Sequence, residues 1–135
     1  LPHAVFTGGL GGEDLPRAVA SMDVFCSMGE LETFCQAVQE AKACGLPVIS
    51  PRKGGPIDLI DPSRTGWLYE PGDMTDFRSR VVDLVGDDYK RHAMGIAARA
   101  SIENRTWENL CAELVEHYKE AIRLAGRSTR IRAVL

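Results

Sequence analysis

Residues Glu30–Ser50 read ELETFCQAVQEAKACGLPVIS. Phe34, Val38 and Ala41 recur at helical spacing, with Ala37 and Cys44 beside them, which predicts a helix over Thr33–Cys44 with one apolar face. Gly45 stands where a helix ends in a left-handed residue. Leu46–Ser50 (LPVIS) then reads as a short apolar strand. A helix running through a glycine turn into an apolar strand is part of a strand–helix–strand unit. Glu32 lies at the edge of the helix start and Glu40 two turns further along, ~12 Å up the axis if the helix opens at Thr33.

The flanks repeat the alternation. His3–Phe6 (HAVF) is a strand candidate closed by the turn Thr7-Gly8-Gly9, and Glu13–Ala20 a short helix with Pro16 in its first turn. Asp23–Ser27 (DVFCS) is an apolar strand. Gly54-Gly55-Pro56 is a tight loop from which Pro56 opens a short helix through Ile60. Trp67–Tyr69 is a strand, followed by helices over Met74–Val85, Asp88–Ala100 and Trp107–Leu124. Short apolar strands between helices predict an α/β, Rossmann-like parallel sheet covered on both faces.

A chain of 135 residues is long enough for one domain with one core. Its net charge of −3 gives no electrostatic footprint for binding nucleic acid. No apolar run approaches the ~18–20 residues of a membrane span. Cys26, Cys35, Cys44 and Cys111 include no C-x-x-C pair and no neighbouring histidines. Zinc is not expected, and the four read as reduced, mostly buried thiols of a cytoplasmic protein. His3, His92 and His117 fall on separate elements. Trp67 and Trp107 read as packing anchors, and Arg52 and Lys53 as surface charges. The expected domain covers 1–125; residues 126–135, with Arg127, Arg130 and Arg132, form a basic tail that is expected to fray.

The N–H groups at a helix start, here near Thr33–Gln36, suit a phosphate. A carboxylate beside a phosphate repels it, so Glu32 and Glu40 need other partners. Ionised carboxylates accept strongly from hydroxyls. A ligand with hydroxyls on both sides of a diphosphate, a nucleotide sugar, meets these conditions: Glu32 would hold the sugar and Glu40 the ribose. From spacing alone the plainer readings stay open. Glu32 would then complement the helix dipole, and Glu40 would be a solvated surface residue.

The string ETFCQAVQEAKACGLPVIS, followed by Gly54-Gly55 and by TGWLYEPGD, resembles the donor half of the group 1 (family 4) retaining glycosyltransferases. Their motif E-x-F-G-x4-E-A-x-A-x-G-x-P-V is matched by Glu32, Phe34, Glu40, Ala41, Ala43, Gly45, Pro47 and Val48, with Cys35 replacing the usual glycine. The wording ETFCQ-x-VQEA, GGP-x-DL-I and TGWLYEPGD is most similar to actinobacterial GDP-mannose-dependent α-mannosyltransferases. The resemblance runs to about Tyr118 and implies the GT-B fold, of which this chain would be a partial C-terminal domain.

It also implies roles. Glu32 would bond the donor sugar and shape the reaction centre, making it the catalytic candidate. Thr33 lies in the same substrate-binding turn, where backbone N–H groups of Phe34, Cys35 and Gln36 would meet sugar and phosphate oxygens. Glu40 would take the ribose hydroxyls. Leu10 would lie against the base, with Gly9 and Gly11 allowing close approach, and Gly54 and Gly55 would line the same crevice. No metal or other cofactor is implied; the donor would be GDP-mannose. The acceptor, a lipid or a glycan, would be reached through an N-terminal domain that this stretch does not contain.

Basic residues that clamp the diphosphate in the family have no match here, so the stretch alone is expected to lack turnover. The parent is expected in the cytoplasm, with peripheral association at the inner face of the plasma membrane. A helix N-terminus can lower a thiol's pKa, but the class needs no cysteine nucleophile. The competing functions are another GT-B nucleotide-sugar enzyme, such as an epimerase, and a non-catalytic nucleotide-binding module.

Overall fold

The computed structural model describes residues 2–132, and the side chains of these through Gly126. Two units are distinguished, residues 1–102 and 103–135. The first holds a three-stranded parallel sheet in the order β1-β2-β3, formed by β1 (Phe25–Cys26), β2 (Val48–Pro51) and β3 (Gly66–Tyr69). Register pairs Phe25 with Val48, and Val48 with Gly66. Around the sheet run α1 (Asp14–Ala20), α2 (Gln36–Ala43), α3 (Pro56–Leu59), α4 (Met74–Val85) and α5 (Asp88–Ala100).

Strand β2 is buried on both faces and β3 nearly so, as continuous apolar strands require, while β1 at the edge is half-buried at Phe25 and exposed at Cys26. On one face Val48 and Leu68 pack with Val38 and Ala41 of α2 and Val19 of α1. On the other, Ile49 and Tyr69 pack with Leu84 of α4 and Met94 of α5. The alternation of Val48 and Ile49 between two clusters is the period-2 pleat of a strand. Gly45, at φ +79°, ends α2 and turns the chain into β2.

Two sequence expectations fail here. His3–Phe6 forms no strand, and Val5 and Phe6 are 85% and 94% exposed; the segment finds no neighbouring strand among the described residues, and an isolated β-segment has no ladder to join. The helix expected from Thr33 starts at Gln36 instead, because its N-cap, Cys35, takes the left-handed conformation (φ 54°, ψ 50°). A helix cannot propagate through that residue.

Trp67 is an anchor, as expected, whereas Trp107, also expected to be one, is 72% exposed. The Trp67 indole N–H donates to the Asp83 carboxylate at 2.9 Å, and the Arg80 guanidinium lies 4.7 Å from the ring centroid. Lys90 of α5 meets the same carboxylate at 2.6 Å. One side chain thus joins β3, α4 and α5. Helices α4 and α5 are capped by Asp73, which accepts from the N–H groups of Thr75 and Asp76, and by Asp87, which accepts from that of Lys90.

The second unit contains α6 (Trp107–Arg132). Thr106 accepts from the Asn109 N–H at its start, and pairs such as Glu116–Lys119 and Glu120–Arg123 line its surface. Its backbone continues past the boundary expected at residue 125, through Arg132; the last three residues of the expected tail, 133–135, lie outside the described residues. Among the described residues no helix is long and apolar enough to cross a membrane.

The Lys90 and Trp67 hydrogen bonds hold the Asp83 carboxyl below its ordinary value, overcoming partial burial. A carboxylate depressed on folding stabilises the fold above its unfolded pKa, about 3.9, and loses that contribution as pH falls through the lower folded value. Asp83→Asn is expected to lower stability by about 1 kcal/mol at pH 7, because the group is partly solvated. Chemical denaturation across pH should show the deficit shrinking once pH drops below about 4.

Candidate functional site

The open edge of the sheet is built by two loops. Residues 27–35 leave β1, and residues 52–55 leave the adjacent β2. Both loops thus lie at the carboxyl ends of parallel strands, the side on which open α/β sheets take ligands, and α2 starts there.

The first loop delivers the expected carboxylate. Glu32 is exposed, and its side chain folds over Gly29: a Cβ on Gly29 would lie 2.9 Å from Glu32 Cγ and 3.1 Å from Oε1. Thr33 and Phe34 follow in the loop, both exposed. Phe34 was expected on the core face of a helix; at 47% exposure it is not, and Cys35, 3% exposed, takes the core position. The left-handed turn at Cys35 exchanges the two, sending the thiol inward and the ring outward.

The thiol does not behave as a helix-start cysteine. Burial, and secondarily the Glu32 charge, push its pKa above the ordinary value, the opposite of the lowering that a helix N-terminus can produce. The expectation that most cysteines are buried also fails, since Cys26 and Cys111 are exposed and Cys44 is half-buried. All four are free, and the described residues contain no cluster of three or more metal-ligating side chains.

Helix α2 begins with no side-chain cap. Its first intrahelical donor is the Gln39 N–H, to the Cys35 carbonyl at 3.1 Å, so the N–H groups of Gln36, Ala37 and Val38 form its open end. The helix-start donors therefore overlap the expected Thr33–Gln36 set at the N-cap Cys35 and at Gln36, and extend past it to Ala37 and Val38. Glu40 is half-buried one turn along and accepts from the Gln36 amide at 3.1 Å. With the helix starting at Gln36, only four residues of helical rise, ~6 Å, separate its first residue from Glu40; the rest of the path to Glu32 is loop.

Glu40 stands at a groove of about 360 Å³ between α1 and α2, floored by Leu15, Pro16, Val19 and Ala43, with Gly12 at its entrance. Sequence reading missed this groove. The helical spacing of Leu15 and Val19, with Pro16 between them, was its only signal. Gly9, Leu10 and Gly11 lie just before it in an irregular loop; Leu10 is half-buried, and a Cβ on Gly9 or Gly11 would meet nothing within 4 Å.

Gly54 and Gly55 press on the protein itself. A Cβ on Gly54 would come 2.5 Å from the Glu32 carbonyl oxygen, and one on Gly55 would come 2.1 Å from that of Thr33. Arg52 and Lys53 are exposed and paired, with Glu70 at 2.8 Å and Glu30 at 3.1 Å.

The structure is thus that of an α/β protein with a parallel sheet, in which an uncapped helix start and two glutamates lie at the carboxyl ends of neighbouring strands. The family model for glycosyl transferases group 1 matches residues 1–101, and the chain belongs to that family. It is 45% identical over 94% of its length to a GDP-mannose-dependent alpha-mannosyltransferase of Corynebacterium glutamicum. It is 52% identical over 96% of its length to proteins of the same description from Mycobacterium tuberculosis and Mycolicibacterium smegmatis. The chain spans about a third of the length of these relatives, 31%, 33% and 34% respectively.

Among solved structures, sucrose-phosphate synthase from Thermosynechococcus elongatus superposes with a TM-score of 0.79 at 24% identity, over 89% of this chain and 30% of that one. Anabaena HepE in complex with UDP gives 0.72 at 22%, over 79% and 30%. The chain therefore has the α/β, Rossmann-like arrangement of part of the GT-B fold.

Left-handed backbone costs an L-residue about 1–2 kcal/mol. Glycine would relieve that strain, but the buried thiol packing would be lost and the unfolded chain would gain freedom. Cys35→Gly is therefore expected to stay within about 1 kcal/mol of wild type. Cys35→Val, larger by one heavy atom and β-branched, should lose about 2 kcal/mol or more. Paired denaturant melts check both.

Proposed function

We propose that the full-length protein is a retaining glycosyltransferase that takes mannose from GDP-mannose, and that this chain supplies its donor-binding part. The observation that carries the reading is the uncapped start of α2 between Glu32 and Glu40. In this reading the Gln36, Ala37 and Val38 N–H groups receive the diphosphate, whose negative charge grows as the bond to the sugar breaks. Glu32 accepts from the sugar hydroxyls and fixes the ring at the reaction centre. Glu40, already steadied by Gln36, accepts from the ribose hydroxyls at the mouth of the apolar groove. Leu10 and the glycines beside it lie towards the base.

The choice of GDP-mannose rests on relatives of 45–52% identity whose descriptions name that donor. The acceptor is a lipid or a glycan, presented by the remainder of the protein at the cytoplasmic side of the membrane. Stabilisation of the leaving group by amides calls for no metal cofactor.

Turnover of the full-length protein is measured with GDP-mannose and UDP-glucose, with and without EDTA. Mannose transfer that persists in EDTA is expected; preference for UDP-glucose overturns the donor assignment. Glu40→Ala should weaken GDP about 10–100-fold, the worth of hydrogen bonds to a charged acceptor. Glu32→Ala should lower kcat about 100-fold or more.

A further inference from the structure

We propose that Gly55 and Lys53 are positioning residues: the loop after β2 is a clamp that sets the place of Glu32, rather than a wall of the donor pocket. The inference rests on the reading of Glu32 as the residue at the reaction centre. The Gly55 N–H donates to the Glu32 carbonyl oxygen at 2.8 Å. Gly54, at φ +66°, brings its backbone against the same oxygen, and Gly55 lies against the Thr33 carbonyl and the Cys35 sulfur, which its Cβ would meet at 2.1 Å and 2.8 Å. Each is a contact between the two loops that a side chain would prevent. The absence of side chains at both positions is thus explained by protein contacts alone.

Two polar ties hold the clamp in register. Lys53 Nζ lies 3.1 Å from Glu30 Oε2, across the same pair of loops. Behind it, the ammonium of Lys42, only 2% exposed, donates to the Leu59 carbonyl at the end of α3. Helix α3 starts at Pro56, directly after Gly55. The clamp is therefore anchored to α2, the helix whose start receives the diphosphate, and Glu32 is held in register with that start through backbone contacts. A misplacement of about 1 Å at a reacting centre costs as much as 100-fold in rate. The clamp touches Glu32 and not Glu40, so loosening it should slow turnover and leave nucleotide affinity in place.

The test uses the full-length protein and measures kcat, donor KM and GDP affinity for Lys53→Glu, Glu30→Lys, their double exchange, Gly55→Ala and Glu32→Ala. Each charge reversal is expected to lower kcat about 5–10-fold with donor KM within about 2-fold, and the exchange to restore kcat to within about 2-fold. Gly55→Ala should lower kcat about 50-fold or more while GDP affinity stays within about 3-fold. Charge reversals without effect, an exchange no faster than the single variants, or parallel loss of kcat and GDP affinity in Gly55→Ala overturns the clamp. If Gly55→Ala does not fold, the charge exchange alone decides, since both side chains are 43–49% exposed. Full turnover in Glu32→Ala overturns the donor-site reading itself; loss of turnover there, with inert charge reversals, overturns only the clamp.

Discussion

Cys35 carries the chain through the left-handed region, φ 54° and ψ 50°, immediately before α2. Three features of the open sheet edge depend on that turn. It sends the thiol into the core with Val38, Ala41 and Val48. It leaves Glu32, Thr33 and Phe34 in an exposed loop rather than winding them into the helix. It also starts α2 at Gln36 without a side-chain cap, so the first amides of the helix have no intrahelical partner. A right-handed residue at this position would extend the helix, consume those amides and move Glu32 onto its first turn.

The charges around the edge follow a consistent logic. Arg52 is held by Glu70 and Lys53 by Glu30. Within these loops, nearby cations are engaged with acids, so an anion arriving at α2 would meet chiefly backbone dipoles. Both glutamates would then favour hydroxyl-bearing groups on either side of that anion. A ligand that carries a diphosphate between two hydroxyl-bearing parts, the form of a nucleotide sugar, would satisfy the helix dipole and both carboxylates at once. Elsewhere in the same unit, Asp83 fastens β3, α4 and α5 together through Trp67 and Lys90.

Much of this was legible in the sequence, for physical reasons that can be named. Val48 and Ile49 are apolar without alternation, which marks a strand buried on both faces. Gly45 is an end signal, and α4 and α5 begin and end where their spacing places them. The helix start at Gln36 was not legible, because Thr33–Phe34 continue the apolar period and only the backbone angle at Cys35 breaks it. The substitution of cysteine for a family glycine was the available clue. His3–Phe6 has strand composition and no strand, since pairing depends on neighbours and not on composition. The inter-loop role of Gly54 and Gly55 was invisible: a sequence shows that a position lacks a side chain, not what occupies the space.

The central claim is that the α2 start receives the diphosphate. The most direct measurement follows the backbone amide resonances of Gln36, Ala37 and Val38 in the isotopically labelled full-length protein as GDP is added. Large, saturable shifts at these three amides, with smaller ones along the Glu32 loop, are the predicted result. GDP binding that leaves the three amides unmoved while resonances elsewhere shift would contradict the account.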